Sequence, residues 1–449
     1  MKNKLIGIIA FVAVIGFSFT ACEEEDDTKT PVASETPVAS DYTFGNLKQI
    51  AGDVKAITIT PKDGKSTGAV SNIKYAGNTT IPQTYGTYSI TFDVAEATGW
   101  NAATNLTAGN LVVVSEPYWT AVTDTTFFGS NTTFYAVTYG NNKFVAVGFQ
   151  YNQSTWGDGH CIMAYSNDGV TWTEVTDTTF DKYYDRIYAI AYGNGKFVAG
   201  GTGGKIEYST DGVTWTAVDN VKLFEYSYYS DGAIYTDKGK IGAITYGNNK
   251  FVAVGDRSRK AYSTDGVTWT AVTKVSTDCF IRAIAYGNGK FVAGGSDGGI
   301  EYSTDGVTWT TDGVTWTTVE GTSEYGGYIY TIAYGNGKFV ANSGRGGKTA
   351  YSTDGVTWTE ISNNTLHNYE DFHSGVHIYA IAYGNNKFFA ASNTEIDSDA
   401  KMAYSSDGVT WTAVTDTTFG ISFIMAIAYG NGKFVALGSR GKIAYSTGY

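Results

Sequence analysis

The sequence predicts an all-β fold, a seven-bladed β-propeller closed by a strand from its own N-terminal side, and three observations predict it. First, one phrase recurs through the second two-thirds of the chain. Its first half, Ala-Tyr-Gly-Asn-Gly-Lys-Phe-Val-Ala in the copy starting at Ala191, places a Tyr at 139, 192, 246, 286, 334, 383 and 429. Its second half, Tyr-Ser-Thr-Asp-Gly-Val-Thr-Trp-Thr, places a Trp at 172, 215, 269, 309, 358 and 411. A fixed period of 40 to 54 residues marks a repeat architecture. Second, each copy contains two hairpin signals, Asn-Gly or Asn-Asn and then Asp-Gly, whose residues tolerate positive φ. Third, the last copy stops before its Asp-Gly-Val-Thr-Trp strand, and a matching strand, Tyr118-Trp119-Thr120-Ala121-Val122, stands ahead of the first copy.

Within one copy the elements follow in order. Strand A runs from Ile187 to Tyr192 and turns at Gly193-Asn194-Gly195 into strand B, Lys196 to Gly200. Strand C covers Lys205 to Tyr208, Asp211-Gly212 turns the chain, and strand D covers Val213 to Val218. Four antiparallel strands per period are what a propeller blade needs. Strand A alternates a large face, Tyr188, Ile190 and Tyr192, with a small one, Ala189 and Ala191. That alternation predicts interdigitation between neighbouring blades. The displaced strand would leave no open sheet edge between the two ends of the ring. Thr304–Thr310 is repeated at once as Thr311–Thr317, which is expected to lengthen the C–D connection of the fourth blade.

Ahead of the repeat the text changes. Lys2 and Lys4 precede an apolar run from Leu5 to Phe17, which reads as the core of an export signal and is short for a membrane span. Phe19-Thr20-Ala21-Cys22 resembles a bacterial lipobox, with Phe19 where Leu is usual. The resemblance implies a signal peptide over 1–21, lipidation at Cys22, attachment to a membrane through that lipid, and a place in the bacterial cell envelope. Glu following Cys22 is compatible with the outer membrane. Residues 22–40 are acidic and then Pro/Ser-rich, a composition that buries no core and predicts an extended tether. Residues 41–116 carry alternating strands such as Thr87–Val94, and their text resembles the Ig-like modules of bacterial surface proteins. That resemblance implies a small β-sandwich stalk, leaving 117–449 for the propeller. Cys161 and Cys279 are too sparse for a disulfide framework, and their pairing is left open.

Ser-x-Asp-Gly-x-Thr-Trp resembles the Asp-box of sialidase-type propellers, one residue shorter because Asp and Gly are adjacent. A turn that recurs at Asp168, Asp211, Asp265, Asp305, Asp354 and Asp407 is expected to hold hairpins, since six copies are not one active site. The net charge of −12 speaks against a nucleic-acid partner. No nucleophile elbow or phosphate loop is present, no cofactor is called for, and a monomer is expected.

The two repeated turns share one rim, and the length variation falls on the other. The variable connections carry Tyr151, Trp156, His160, Tyr183, Tyr184, Arg186, Tyr226, Tyr228, Tyr229, Tyr325, Tyr328, Tyr369 and His373, with Arg282 at the start of the fourth strand A. Loops on a rigid scaffold commonly bear function, and Tyr and Trp give contact area at low entropic cost. The preferred reading is a non-catalytic binding or adhesion module for a glycan or a protein. A sialidase-like glycoside hydrolase is the runner-up, and a purely structural envelope protein the third reading. His373 and His377, four apart beside acidic residues, form a weak candidate for a metal site.

Overall fold

The computed structural model describes residues 34–51, 54–114, 118–123, 128–152, 159–176, 178–180, 185–218, 223–230, 233–273, 279–296, 299–311, 315–317, 328–343, 349–361, 377–393, 401–414 and 417–447. Cys22, the export signal and the acidic run lie outside them. The described residues contain no α-helix, and no helix long and apolar enough to cross a membrane. The chain forms two compact units. One comprises Met1–Asn46, Ile57–Thr80 and Ser89–Asn110, and the other Leu47–Ala56, Ile81–Tyr88 and Leu111–Tyr449.

In the first unit, Tyr42–Gly45 pairs antiparallel with Thr58–Pro61, and Val70–Tyr75 pairs antiparallel with residues 90–94. Phe92 is fully buried there between Tyr42 and Phe44, both edge-on to its ring.

The second unit is a β-propeller. Successive antiparallel sheets begin with the strands Thr132–Gly140, Ile187–Gly193, Ile241–Gly247, Ile281–Gly287, Ile329–Gly335, His377–Gly384 and Ile424–Gly430. Each of these seven inner strands packs against the next, and the last packs against the first. The Asn-Gly hairpins form as their chemistry requires, with Asn194 at φ 45° and Gly195 at φ 73°. In the seventh sheet, Ile443–Thr447 receives Tyr118–Ala121 antiparallel, with Trp119 opposite Ser446.

Two devices lock neighbouring sheets. The glycine ending each inner strand faces a tyrosine of the next sheet, Gly140 to Tyr192 through Gly430 to Tyr139. A Cβ at any of these seven glycines would fall 2.0–2.1 Å from the ring. On the same rim, an Asn of one sheet donates to the C–D turn of the next, as Asn194 does to the Thr264 carbonyl at 3.3 Å. Between the sheets lie apolar layers such as Val145, Val147, Ile187, Phe197 and Trp215. A buried ion pair, Lys260 to Glu301 at 2.7 Å, joins the third sheet to the fourth.

The doubled segment behaves differently from expectation. Its first copy takes the outer place in the fourth sheet, where Thr310 bridges Tyr302. The second copy, Thr315–Thr317, adds a parallel strand to the fifth sheet, with Trp316 in register with Trp358. It therefore extends a neighbour's edge and does not lengthen its own C–D hairpin, because the first copy already fills that register.

Candidate functional site

The site is built by an irregularity repeated in every inner strand. Pairing between strands A and B skips one residue near the start of strand A, between Phe134 and Ala136 in the first sheet and between Ile187 and Ala189 in the second. The same break recurs in the other five sheets. The residue at the break is Tyr135, Tyr188, Gly242, Arg282, Tyr330, Tyr379 or Met425 in chain order. A β-bulge re-aims the side chain that it frees from the ladder. All seven of these residues line a single cavity of about 260 Å³, with apolar residues such as Ile190 and Ile332 beneath them. Tyr188 was expected on a face packing between blades. The bulge turns it to the cavity, while Ala189 and Tyr192 stay in the inter-sheet layers.

Around the mouth, aromatic and cationic groups interleave. The hydroxyls of Tyr135 and Tyr151 lie 3.1 Å apart, and the Arg186 guanidinium stacks over Phe149 at 4.6 Å and Tyr151 at 5.3 Å. Burial pushes the Tyr135 hydroxyl up, and the Tyr151 hydrogen bond adds to the shift. Lys240 sits 5.2 Å over the Tyr188 ring. Its ammonium is lowered from the usual lysine value, first by burial and then by the nearby Arg282 charge. Arg282 lies 5.5 Å over Tyr328 and 5.7 Å over Tyr330. Tyr330, Tyr379 and His377 form a compact triad, with centroids 5.2 to 5.7 Å apart.

Of the residues expected from the sequence, the structure brings Tyr151 and Arg186 together, and Arg282, Tyr328 and His377 together, around this mouth. His160 lies in strand C opposite Gln150 and does not line the cavity. Tyr226, Tyr228 and Tyr229 belong to a hairpin, Glu225–Ser230 with Ala233–Lys238, where a loop was expected. There the Tyr226 hydroxyl donates to Asp237 at 3.0 Å, and Arg257 covers its ring at 4.4 Å. Trp156, Tyr183, Tyr184, Tyr325, Tyr369 and His373 lie outside the described residues. Sequence reasoning missed Tyr135, Lys240, Tyr330, Tyr379 and Met425. A signal for most of them was present, because the second residue of strand A is the position that changes most within a largely repeated Ile-x-Ala-Ile-Ala-Tyr-Gly phrase.

The repeated aspartates are local fixtures. Asp211 Oδ1 accepts the backbone N–H groups of Val213 and Thr214, both at 2.8 Å, while Ser209 Oγ accepts that of Gly212 at 2.8 Å. The pattern is the same at Asp265, Asp305, Asp354 and Asp407.

Chemically, the cavity offers aromatic faces, phenolic hydroxyls and cations. No Asp or Glu is among the described residues lining it. Asp256, whose charge acts on Tyr188 and Lys240, is occupied in part by accepting the backbone N–H of Lys240 at 3.0 Å. Among the described residues no group of three potential ligands could hold a metal.

No protein-family model matches this chain, and no curated protein matches it. Among solved structures, YCF48 bound to D1 peptide is similar in fold, at 15% identity and a TM-score of 0.51, over 75% of this chain and 96% of that one. YCF48 from Cyanidioschyzon merolae aligns at 16% identity and 0.48, over 73% and 98% of the two chains. Virginiamycin B lyase from Staphylococcus aureus aligns at 14% and 0.48, over 74% and 99%. The first of these likenesses supports the β-propeller fold and, at 15% identity, the fold alone.

Proposed function

We propose that this chain is a binding module, a seven-bladed propeller that holds a glycan or a segment of another protein at the mouth of its central cavity. One observation carries the reading. Strand A repeats nearly verbatim around the ring, yet the one residue per sheet that a bulge aims into the cavity runs Tyr, Tyr, Gly, Arg, Tyr, Tyr, Met. Packing alone would favour the same residue in every copy, as it does at the glycine–tyrosine contacts. Variation is greatest at this position, and variation concentrated at a cavity is what a recognition surface requires. A cavity lined by four tyrosines and Arg282 suits binding better than hydrolysis, which would need positioned carboxylates. YCF48 has been solved with a D1 peptide, so peptides belong beside glycans among the ligands to test. The module is proposed to stand on an Ig-like stalk and an acidic tether, anchored through lipid on Cys22 to the bacterial envelope.

The test is array screening of the full chain against glycans and peptides, repeated with Tyr188→Ala plus Tyr330→Ala. Both side chains are half-buried and touch the cavity. The double variant is expected to keep its melting temperature and lose its ligand. A ligand retained at full affinity would show that the cavity is not the binding site.

A further inference from the structure

The cavity is not uniform around its circumference, and the asymmetry bears on what it holds. This step rests on the reading of the cavity as a binding site. Arg282 of the fourth sheet lines the cavity, and Arg186 and Lys240, just ahead of the inner strands of the second and third sheets, flank it, stacked on Tyr151 at 5.3 Å and on Tyr188 at 5.2 Å. The fifth and sixth contribute the Tyr330–Tyr379 pair at 5.2 Å, and the first contributes Tyr135, 5.2 Å from Tyr188. In a chain of net charge −12, three cations gathered at one mouth are not an average surface. Burial and then Arg282 disfavour the charge on Lys240, Asp256 offsets them in part, and Arg186 adds a smaller disfavouring charge. Cations held against one another cost free energy that a bound anion would recover. Between Tyr188 and Arg282 the ring carries Gly242, where a Cβ would fall 2.5 Å from the Ile281 carbonyl oxygen, so a side chain is excluded from the cationic arc.

We infer that the cavity takes one uronic acid residue of an acidic polysaccharide. The carboxylate enters the arc of Arg186, Lys240 and Arg282, and the C–H face of the sugar ring lies on the Tyr330–Tyr379 side. Guanidinium groups pair well with carboxylates, and the half-buried setting of Arg186 strengthens such a pair. The ring hydroxyls have the phenols as partners, each able to donate and to accept. A sugar acid satisfies both halves of the cavity with one rigid ring, and about 260 Å³ holds one such ring. A peptide carboxylate brings the anion but no rigid polyhydroxylated ring.

The experiment is calorimetric titration of the full chain with oligogalacturonate and oligomannuronate, their methyl esters, neutral oligogalactose, a sialylated glycan and the peptides of the array. Uronate oligomers are expected to bind. Methyl esterification, Arg282→Gln and Lys240→Gln are each expected to weaken that binding by roughly tenfold. Arg282 is exposed, so its replacement leaves the fold intact, and a melting curve verifies this. Esters or neutral sugars binding as well as the acids, an Arg282→Gln variant with full affinity, or a preference for a sialylated glycan or a peptide would each overturn the inference. A neutral sugar or peptide whose binding is lost in Tyr330→Ala overturns the uronate assignment while leaving the cavity as the site. Loss of nothing on Tyr330→Ala, for any ligand, overturns both.

Discussion

The two rims of the propeller are made of the same repeated sheets, yet they obey opposite rules. On the rim of the A–B and C–D turns, each copy is nearly the same text, and each residue meets an equivalent partner: Gly meets Tyr, Asn meets a turn carbonyl, Asp meets two backbone N–H groups. On the cavity side the inner strand is just as regular, but the bulged residues share no one inter-sheet partner: Gly242 faces the Ile281 carbonyl, Tyr135 the Tyr188 ring and Tyr330 the Tyr379 ring. The difference teaches that repetition marks positions whose neighbours are other repeats. Variation marks positions whose neighbour is something outside the fold.

Removing a contact that closes the ring should have the largest effect. Trp119 is 3% exposed and meets Phe389 edge-on at 5.6 Å. Trp119→Ala is expected to cost about 3–5 kcal/mol in urea unfolding. A loss below 1 kcal/mol would mean that the displaced strand contributes little to closure. Next comes the glycine–tyrosine lock. Gly335→Ala places a methyl 2.0 Å from the Tyr383 ring and should cost about 1–3 kcal/mol by overpacking, readable in the same denaturation experiment. An unchanged midpoint would show that the ring yields freely.

The aspartate turns sit one step lower and add a pH signature. At Asp354, burial acts to raise the carboxyl, but the N–H groups of Thr357 and Val356 and the Ser352 hydroxyl outweigh it, and its pKa falls from 3.8 to about 2. Asp265 and Asp407 also fall to about 2 for the same reason. A carboxylate whose folded pKa lies below its unfolded one stabilises the fold above the unfolded value. That contribution is lost as pH falls through the folded value. Melting temperature should therefore drop between about pH 4 and pH 2. Asp354→Ala should cost roughly 1–2 kcal/mol at neutral pH and shrink the acid-dependent part. A variant with the same acid slope as the parent would remove Asp354 from the account.

Much of the scaffold was legible because it rests on local chemistry. Asn194-Gly195 and Asp211-Gly212 announce hairpins through their backbone preferences, and Tyr118–Val122 repeats the text of the strand that the last sheet lacks. Tyr151 and Arg186 were legible as rim residues for the same reason, since they border variable connections. The cavity was less so. Strict alternation puts Tyr188 on one face with Ile190 and Tyr192, and only the bulge, a tertiary feature without its own sequence mark, turns it inward. Lys240 escaped notice because it precedes strand A as one unremarkable lysine. Its meaning arises from Arg186 and Arg282, 54 and 42 residues away in the chain. The doubled Thr-Asp-Gly-Val-Thr-Trp-Thr was misplaced because sequence adjacency says nothing about which sheet edge is open.

The smallest stability effect sharpens the comparison most. Met425 stands at the bulge of the seventh sheet, where four other sheets carry Tyr. If that position is governed by what enters the cavity and not by packing between sheets, Met425→Tyr should be tolerated to within about 0.5 kcal/mol. Ala428, three residues on, is 9% exposed, lies opposite Val435 in the ladder and packs in an inter-sheet layer, so it gives the contrast. Ala428→Tyr forces a ring into a close-packed layer and should cost as much as the glycine replacement or more. Denaturation of the two variants side by side reads the difference directly. Equal losses would mean that the bulge position is a packing position after all, and that its variation around the ring needs another cause. A tolerated Met425→Tyr that nonetheless changes ligand preference would show the seven bulges acting as one exchangeable recognition set.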